Sequence, residues 1–262
     1  MSPAEHPPVF IQSRDNALVK DLRRLMEEGA AYRKQGRYWI EGDHLCRAAL
    51  TRGVKPAVAV FSEKFWQSPE NVYAHAAARN IVIDTALLAS LSPLPSPAPF
   101  GVLMDLPAQQ AGIQPGVAAV VLDRVQDAGN VGSILRSASA FGFGQVIALK
   151  GSAALWSGKV LRAGMGAHFA LHLVENASQE DVLALQQPLL VTSSHQGDWL
   201  HRAALPWPCA WVLGHEGQGV SEPLQAAAQH HIRITQPGGE ESLNVGAAAA
   251  ICLHASAAAR AD

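Results

Sequence analysis

The sequence has little cysteine, no long apolar run and no recognisable leader. Its 262 residues include three cysteines, Cys46, Cys209 and Cys252, which are too few and too scattered for a disulfide framework or a four-cysteine zinc site. No uninterrupted apolar stretch reaches the roughly 18–20 residues of a membrane helix. The first residues lack a basic start followed by an apolar segment, so no secretory signal is expected. These absences predict a protein of the reducing cytoplasm.

Charge is also scarce, since charged residues make up 16% of the chain and the net charge is −2. Taken alone, this balance argues against a nucleic-acid partner. One stretch differs, because residues 14–37 hold seven basic residues against four acidic ones. The basic ones are Arg14, Lys20, Arg23, Arg24, Arg33, Lys34 and Arg37. Such a run fits an electrostatic footprint for a polyanion, but composition alone favours the plainer interpretation of a solvated amphipathic helix face.

A Pro- and Ser-rich stretch around 92–116 divides the chain. It predicts a first domain at 1–106, a linker at 107–116 and a second domain at 117–262. In the first domain, alternating helical and strand patterns predict a small α/β unit. Its predicted strands are 37–42, 54–61, 80–84 and 100–106, and its predicted helices are 16–28, 43–50 and 71–79.

The second domain alternates more regularly between apolar strands and helical patterns. Its predicted strands are 117–123, 145–149, 169–174, 188–194, 209–214 and 231–235. Its predicted helices are 130–141, 157–164, 178–187, 220–229 and 244–260. This alternation is typical of a mainly parallel sheet covered on both faces. Open sheets of this kind bind ligands at the carboxyl ends of their strands, where three motif clusters lie.

The first cluster lies within 122–143 and contains Asn130, Gly132 and Arg136. Asn130 is predicted to be the N-cap of a helix that carries Ser133 and Arg136 on the same side. The cap amide and the guanidinium then face one site. An ordinary cap with a surface arginine explains the same spacing equally well.

The second cluster, WVLGHEGQGVSE at 211–222, places Gly214, Glu216, Gly217 and Gly219 after a buried strand. Glycines let a ligand approach the backbone closely. The spacing is not the G-x-G-x-x-G dinucleotide fingerprint, and it is not a P-loop because no Lys-Ser/Thr follows. A purely structural glycine turn is the alternative.

The third cluster is a Pro-Gly-Gly loop followed by Ser242 and Asn244, ahead of a helix of small residues. Either polar side chain suits an N-cap. No metal site is expected, because His168 and His172 are too far apart along a predicted strand to share an ion. Cys209 and Cys252 lie in apolar settings and are interpreted as packing residues and not as nucleophiles.

In this order and spacing, the three clusters resemble the motifs of the SpoU/TrmH group of RNA ribose 2'-O-methyltransferases, in the SPOUT superfamily. Residues 12–61 also resemble the group's substrate-binding domain, which is similar to a ribosomal-protein fold. The resemblance implies an α/β fold whose mainly parallel C-terminal sheet carries a trefoil knot. The matching motif residues are Asn130, Gly132 and Arg136, then Gly214, Glu216, Gly217 and Gly219, then Ser242, Leu243, Asn244 and Val245.

The resemblance also implies S-adenosylmethionine as cofactor, RNA as acceptor, and a homodimer across which the active site is completed. The implied cofactor-binding residues are Thr192, Gly214, Glu216, Gly217, Ile234 and Leu243. The implied catalytic residues are Arg136, Asn130, Glu216, Ser242 and Asn244, of which Arg136 binds the target phosphate and hydroxyl. No metal is implied. Ribosomal RNA is expected rather than transfer RNA, and the basic run at 14–37 becomes an RNA-binding surface.

Two alternatives stay open. A Rossmann-type nucleotide enzyme is disfavoured by the missing dinucleotide fingerprint. A catalytically inactive RNA-binding protein of the same fold is disfavoured because all five implied catalytic residues are present: Asn130, Arg136, Glu216, Ser242 and Asn244.

Overall fold

The computed structural model describes residues 7–74, 76–107, 112–193, 196–238 and 242–260. These residues form twelve strands, ten α-helices and one short 3-10 helix at Ala167–Ala170. The strands are β1 (Val9–Ile11), β2 (Arg37–Glu41), β3 (Val58–Ser62), β4 (Asn80–Ile83), β5 (Phe100–Asp105), β6 (Ala119–Asp123), β7 (Gln145–Leu149), β8 (His172–Ala177), β9 (Leu189–Thr192), β10 (Asp198–Trp199), β11 (Ala210–Gly214) and β12 (His230–Arg233). The helices are α1 (Ala17–Glu27), α2 (Ala31–Gln35), α3 (Asp43–Thr51), α4 (Glu63–Trp66), α5 (Thr85–Ala89), α6 (Ala128–Ala140), α7 (Gly158–Gly164), α8 (Gln179–Leu183), α9 (Glu222–Ala227) and α10 (Val245–Ala258).

Contacts between residues divide the chain into two units. The first comprises Met1–Ala108 and Trp156–Phe169, and the second comprises Gln109–Leu155 and Ala170–Asp262. The domain boundaries expected from composition stay a prediction. In the structure, Trp156–Phe169 belongs to the first unit, although the sequence predicts this segment in the second domain. Residues 108–111 of the expected linker lie outside the described residues.

The first unit contains a five-stranded sheet in the order β1–β4–β3–β5–β2. β4 runs parallel to β1 and β3, whereas β5 runs antiparallel to β2 and β3. Helix α1 begins where Asn16 accepts a hydrogen bond from Leu18 N at 2.9 Å, and it buries an apolar stripe at helical spacing. The Trp156 ring packs 4.5 Å from the Tyr38 ring, which explains why its segment belongs to this unit.

The prediction of a helix at 71–79 is wrong. The stretch forms turns and bends, except for His75, which lies outside the described residues. The Asn71 carboxamide accepts a hydrogen bond from Tyr73 N at 3.2 Å, a local arrangement that competes with helix formation. The Tyr73 ring also stacks on Phe100 at 4.5 Å. Packing of an aromatic ring therefore overrides the helical propensity of the neighbouring alanines.

The second unit contains a seven-stranded sheet in the order β10–β12–β9–β11–β6–β7–β8, and all neighbouring strands are parallel. The predicted parallel sheet is confirmed, and every residue of β6, β7 and β11 is buried. In the register, Gly214 pairs with Asp123 and Ile232 pairs with Thr192. The carboxyl ends of β6, β9, β11 and β12 therefore lie together at one edge of the sheet.

The strand predicted at 169–174 begins later than expected. Gly166 turns the chain with a φ of +89°, a 3-10 helix follows at Ala167–Ala170, and β8 starts only at His172. Among the described residues, no helix has the length and apolar character needed to cross a membrane.

Helix α10 packs behind the second sheet and beside α6. Trp211 of β11 is fully buried, and its Nε1 donates to Ser256 Oγ at 2.9 Å. Gly246 lies against α6, where an added Cβ would come within 3.5 Å of the Ser133 side chain. Small residues therefore let the first turns of α6 and α10 lie side by side.

Candidate active site

A cavity of about 650 Å³ opens at the carboxyl edge of the second sheet. Its walls come from the ends of β9, β11 and β12 and from the segment that precedes α10. Every residue predicted to hold a cofactor lines it: Thr192, Gly214, Glu216, Gly217, Ile234 and Leu243. Strands that end at one edge of a parallel sheet bring these distant residues together.

The loop after β11 turns back on itself at one wall. His215 and Gly219 exchange backbone hydrogen bonds of 3.0 and 2.8 Å. A Cβ on Gly214 would lie 2.1 Å from Val220 N, so the turn requires glycine there, and Gly219 has a φ of +69°. The His215 ring stabilises the loop, because its Nδ1 accepts a hydrogen bond from Gly217 N at 2.9 Å. No pattern in the sequence indicates this role for His215.

Hydrogen bonds of the Glu216 carboxylate connect the glycine loop after β11 to the start of α6. The carboxylate accepts hydrogen bonds from Gln126 N at 3.2 Å, Asp127 N at 3.1 Å and Asn130 Nδ2 at 3.1 Å. Partial burial raises the pKa of Glu216, but the hydrogen bonds from Asn130 and from backbone N–H groups outweigh it and bring the pKa to about 2. Glu216 therefore stays ionised and acts as an acceptor.

Asn130 and Asn244 continue the same network. Asn244 Nδ2 donates to Asn130 Oδ1 at 2.9 Å, and Asn244 Oδ1 caps α10 by accepting from the N–H groups of Gly246 and Ala247. The prediction that Asn130 caps α6 is wrong, because Asp127 is the N-cap and accepts a hydrogen bond from Asn130 N at 2.8 Å. The Asn130 side chain is therefore available to link Glu216 to Asn244.

The five predicted catalytic residues do not all meet. Glu216, Ser242 and Asn244 line the cavity, and Asn130 is hydrogen-bonded to two of them. Arg136 is exposed further along α6 and is absent from the described residues that line the cavity. One copy of the chain therefore brings four of the five together.

Asp123, which was not among the predicted site residues, provides a second hydrogen-bonded link between the glycine loop and β6. The Asp123 side chain is fully buried; its oxygens accept hydrogen bonds from Ser221 N at 2.6 Å and Arg124 Nε at 2.9 Å. Arg124 Nη1 in turn donates to Gln218 Oε1 at 2.9 Å. Arg124 has a φ of +62°, which is unusual for a bulky residue. An aspartate at the end of an otherwise apolar strand was the available signal.

Gln236 was also missed. Its Oε1 is buried, and no hydrogen-bond partner for it occurs among the described residues. The residue lines the cavity beside Ile234. The cavity therefore offers an unused acceptor to a ligand.

The predicted RNA-binding residues lie in the first unit and differ in their pairing. Lys20, Arg24 and Arg37 form ion pairs of 3.1, 3.8 and 2.8 Å with carboxylates of the same unit. The Arg33 guanidinium lies 5.5 Å from the centroid of the Tyr32 ring. Ion pairs to described residues are absent for the remaining three, Arg14, Arg23 and Lys34.

The burial of Cys209 and Cys252 agrees with their interpretation as packing residues, and Cys46 is buried as well. All three are free and buried, and burial raises the pKa of each thiol to about 12, with a smaller opposing effect at Cys209 from Ser256. In the described part of the chain, no three His, Cys, Asp or Glu side chains group into a candidate metal site.

Comparison with known proteins agrees with this geometry. Residues 118–254 match the SpoU rRNA Methylase family, and residues 16–100 match the MRM3-like substrate binding domain. The 23S rRNA (guanosine(2553)-2'-O)-methyltransferase RlmP of Bacillus subtilis is 26% identical, over 93% of this chain and 97% of its own length.

Two solved structures share the fold. A crystal structure of an RNA 2'-O ribose methyltransferase has a TM-score of 0.80 at 30% identity and covers 97% of this chain and 100% of that one. The SpoU methyltransferase AviRb of Streptomyces viridochromogenes, solved in complex with AdoMet, has a TM-score of 0.83 at 22% identity, covering 94% of this chain and 99% of that one. The family match spans more than half of the sequence, so the chain belongs to the SpoU rRNA methylase family.

Proposed function

We propose that this protein transfers a methyl group from S-adenosylmethionine to a ribose 2'-hydroxyl of ribosomal RNA. The observation that carries the proposal is that all six expected cofactor residues line one cavity, although they come from four separate segments. The names of RlmP and of the RNA 2'-O ribose methyltransferase support the acceptor. RNA is the nucleic acid that carries a 2'-hydroxyl.

The cavity suits S-adenosylmethionine in size and in chemistry. Its volume of about 650 Å³ lies within the range of small-molecule sites, about 300–1,000 Å³. Ile234 and Leu243 offer apolar contacts, and the buried Gln236 Oε1 offers an acceptor for an amino group. The AdoMet complex of AviRb supports the same cofactor.

When bound, S-adenosylmethionine supplies a methyl group on a positively charged sulfonium. The protein has to align the ribose oxygen with that methyl group and remove one proton, and alignment alone is worth roughly 7–11 kcal/mol of the barrier. The hydrogen-bonded chain of Glu216, Asn130 and Asn244 fixes one wall for this alignment. Ser242 is exposed and lines the same cavity, where its hydroxyl can bond to the incoming ribose.

Arg136 acts as a binding group and not as a base. An arginine side chain is a permanent cation, so it binds the target phosphate and hydroxyl and lowers the cost of losing the proton. Among the described residues, Arg136 neither lines the cavity of its own copy nor hydrogen-bonds to the other four catalytic residues, which supports a homodimer in which the partner's Arg136 completes the site. Mixing two inactive variants tests this: copies with Arg136→Ala and copies with Gly214→Ala should regain activity together. Lack of recovery, with mixed dimers demonstrated by mass, would contradict a shared site.

In this proposal, the first unit binds the RNA substrate. The MRM3-like substrate binding domain match covers 16–100 and includes most of the basic run. The RNA-binding surface comprises Arg14, Lys20, Arg23, Arg24, Arg33, Lys34 and Arg37.

The proposed location is the reducing cytoplasm. Three buried, free thiols support it.

A methylation assay tests the proposed function. Purified protein is incubated with S-adenosylmethionine carrying a labelled methyl group and with unmodified ribosomal RNA transcripts, and the digested RNA is analysed by mass spectrometry. A 2'-O-methylnucleoside is expected, with none formed on DNA of the same sequence. Label on a base, or no label although the cofactor binds, would overturn the proposal.

A further inference from the structure

Exposed aromatic side chains and a half-buried arginine cluster at the outer edge of the second sheet, outside the lining of the cavity. The edge strand β10 pairs with β12 so that Trp199 stands opposite Arg233. The guanidinium carbon of Arg233 lies 4.0 Å from the centroid of the Trp199 ring, which is close contact for a cation–π pair. Trp199 nevertheless keeps 36% of its surface exposed. An indole held by a cation but open to solvent is typical of a contact surface and not of a core.

Local contacts hold this pair in place. Arg233 Nε donates to Gly197 O at 2.9 Å. Gly197 has a φ of +103°, and a Cβ there would lie 2.0 Å from a backbone oxygen of β12, so only glycine lets the edge strand approach. The His201 ring lies 6.5 Å from the Trp199 ring, and its Nδ1 is 3.2 Å from Thr235 Oγ1. The rings and the guanidinium are therefore preorganised.

The cluster is adjacent to the cofactor cavity along the chain. Arg233 ends β12, and Ile234 and Gln236 of the following segment line the cavity. At about 3.3 Å per residue, these positions lie within about 10 Å of chain. A nucleotide next to the one being methylated can therefore reach the cluster.

The accessible Trp199 ring and the N–H donors of Arg233 are chemically complementary to an unpaired nucleobase and its phosphate. The Arg233 Nη atoms keep N–H donors, and no carboxylate of the described residues forms an ion pair with them. Asp198, the other residue of β10, forms no ion pair with a described residue, and successive residues of a strand alternate between its two faces. Bases stack on aromatic rings and guanidinium planes, and phosphate accepts from arginine. A protein partner would need an apolar surface, whereas the exposed neighbours Gln196 and Thr235 are polar.

We propose that Trp199 and Arg233, flanked by His201, form a stacking site for an unpaired nucleobase beside the target nucleotide. The proposal rests on RNA being the substrate, as argued above. Stacking on the ring supplies affinity, and the guanidinium fixes the backbone phosphate. The site belongs to this chain's edge strand and lies apart from the three motifs.

Binding of a fluorescein-labelled ribosomal RNA fragment with an unpaired loop tests the stacking site by anisotropy. Trp199→Ala should weaken binding by about 10-fold or more, whereas Trp199→Phe keeps a ring and should stay within about threefold. Arg233→Gln should lower the slope of log affinity against log salt by about 0.7. Leu183→Ala removes a side chain that is also exposed, at 45%, and should change nothing. Calorimetry with S-adenosylmethionine and thermal melting should give the same values for all four variants.

Fluorescence adds a direct signature of stacking. A 2-aminopurine placed in the unpaired loop of the same RNA fragment should be quenched by the unaltered protein and not by Trp199→Ala. Equal RNA affinity of Trp199→Ala and the unaltered protein would overturn the stacking site, as would equal losses in Trp199→Ala and Trp199→Phe with a lowered melting temperature. If no methyl group is transferred but RNA binding still depends on Trp199, the proposed function fails and the stacking site stands.

Discussion

The predicted functional side chains of the second unit are joined by contacts between distant parts of the chain, whereas those of the first unit are neighbours in sequence. In the second unit, the chain of Glu216, Asn130 and Asn244 joins residues up to 114 positions apart, and each amide and carboxylate has a defined partner. In the first unit, the basic run is one continuous stretch of mostly exposed side chains, and its members Lys20, Arg24 and Arg37 pair with carboxylates of their own unit. A site built from tertiary contacts depends on single atoms, whereas a basic run acts through its summed charge.

The largest effect is expected where the glycine loop folds on itself. Gly214→Ala places a Cβ 2.1 Å from the backbone of Val220, so the loop must shift and S-adenosylmethionine affinity should fall at least about 100-fold. Gly112→Ala in the same unit is the control, because its Cβ would meet no atom within 4 Å and the residue does not line the cavity. Calorimetry measures both. Near-normal affinity in Gly214→Ala would show that the loop does not form the cofactor site.

Arg136→Ala should lose methyl transfer while keeping the fold and the cofactor. Because the Arg136 side chain is exposed, its removal creates no cavity in the core, and the melting temperature and the S-adenosylmethionine affinity should not change. The rate should fall by more than tenfold, which corresponds to about 1.4 kcal/mol of barrier. Arg202→Ala, another exposed arginine of the second unit, serves as the control. A smaller loss in single-turnover assays would remove Arg136 from the catalytic role.

The network around Glu216 should resist acid. Its pKa lies near 2, below the ordinary value of 4.5, so the ionised form is favoured in the folded protein. The contribution to stability is complete above about pH 4.5 and is lost as the pH falls through about 2. Carbon-detected NMR of the Glu216 carboxyl should show no titration at pH 4, and the amide signals of Gln126 and Asp127 should move only near pH 2. A midpoint close to 4.5 would contradict the hydrogen bonds assigned to it.

The smallest effects are expected in the basic run, and pairing should decide their size. Replacing Arg14, Arg23 and Lys34 by alanine removes cations without ion pairs to described residues, so the slope of log RNA affinity against log salt should fall by about 0.7–0.9 for each phosphate that the protein no longer neutralises. The control triple replaces Lys20, Arg24 and Arg37, which already pair with carboxylates, and should change the slope less. Equal slopes in both triples and in the unaltered protein would make the run a solvated surface.

Much of the second unit follows from its sequence. Continuous apolar strands predict the parallel sheet, and glycines after a buried strand mark the turn at Gly214. The cap of α6 was placed wrongly because Asp127 and Asn130 are both good N-cap residues. Only the long-range bonds of Asn130 to Glu216 and Asn244 decide between them. The buried Asp123 at the end of an apolar strand was a signal of a polar contact, but its long-range partner, Ser221 N, could not be read from the local sequence.

The first unit was harder to predict because its deciding contacts are aromatic and distant in sequence. The Tyr73 ring stacks on Phe100 where a helix was expected, and Trp156 packs on Tyr38 from far along the chain. Composition marks a boundary near 107 but cannot show that a later segment returns to the first unit. For this reason, point variants test RNA binding better than deletion of 1–107, which would remove Tyr38 from Trp156.

The hydrogen bond between Asn130 and Asn244 has an electrostatic consequence. It joins the first turns of α6 and α10, so the positive ends of two helix dipoles, each about half a unit charge, converge beside the cavity. Glu216 offsets the field of α6, whereas α10 begins directly after the lining residue Asn244 with no carboxylate in its first turn. No lysine or arginine occurs among the described lining residues. The backbone itself therefore favours an anionic group of a ligand at this end by about 0.3–1 kcal/mol, an attraction that weakens as ionic strength rises.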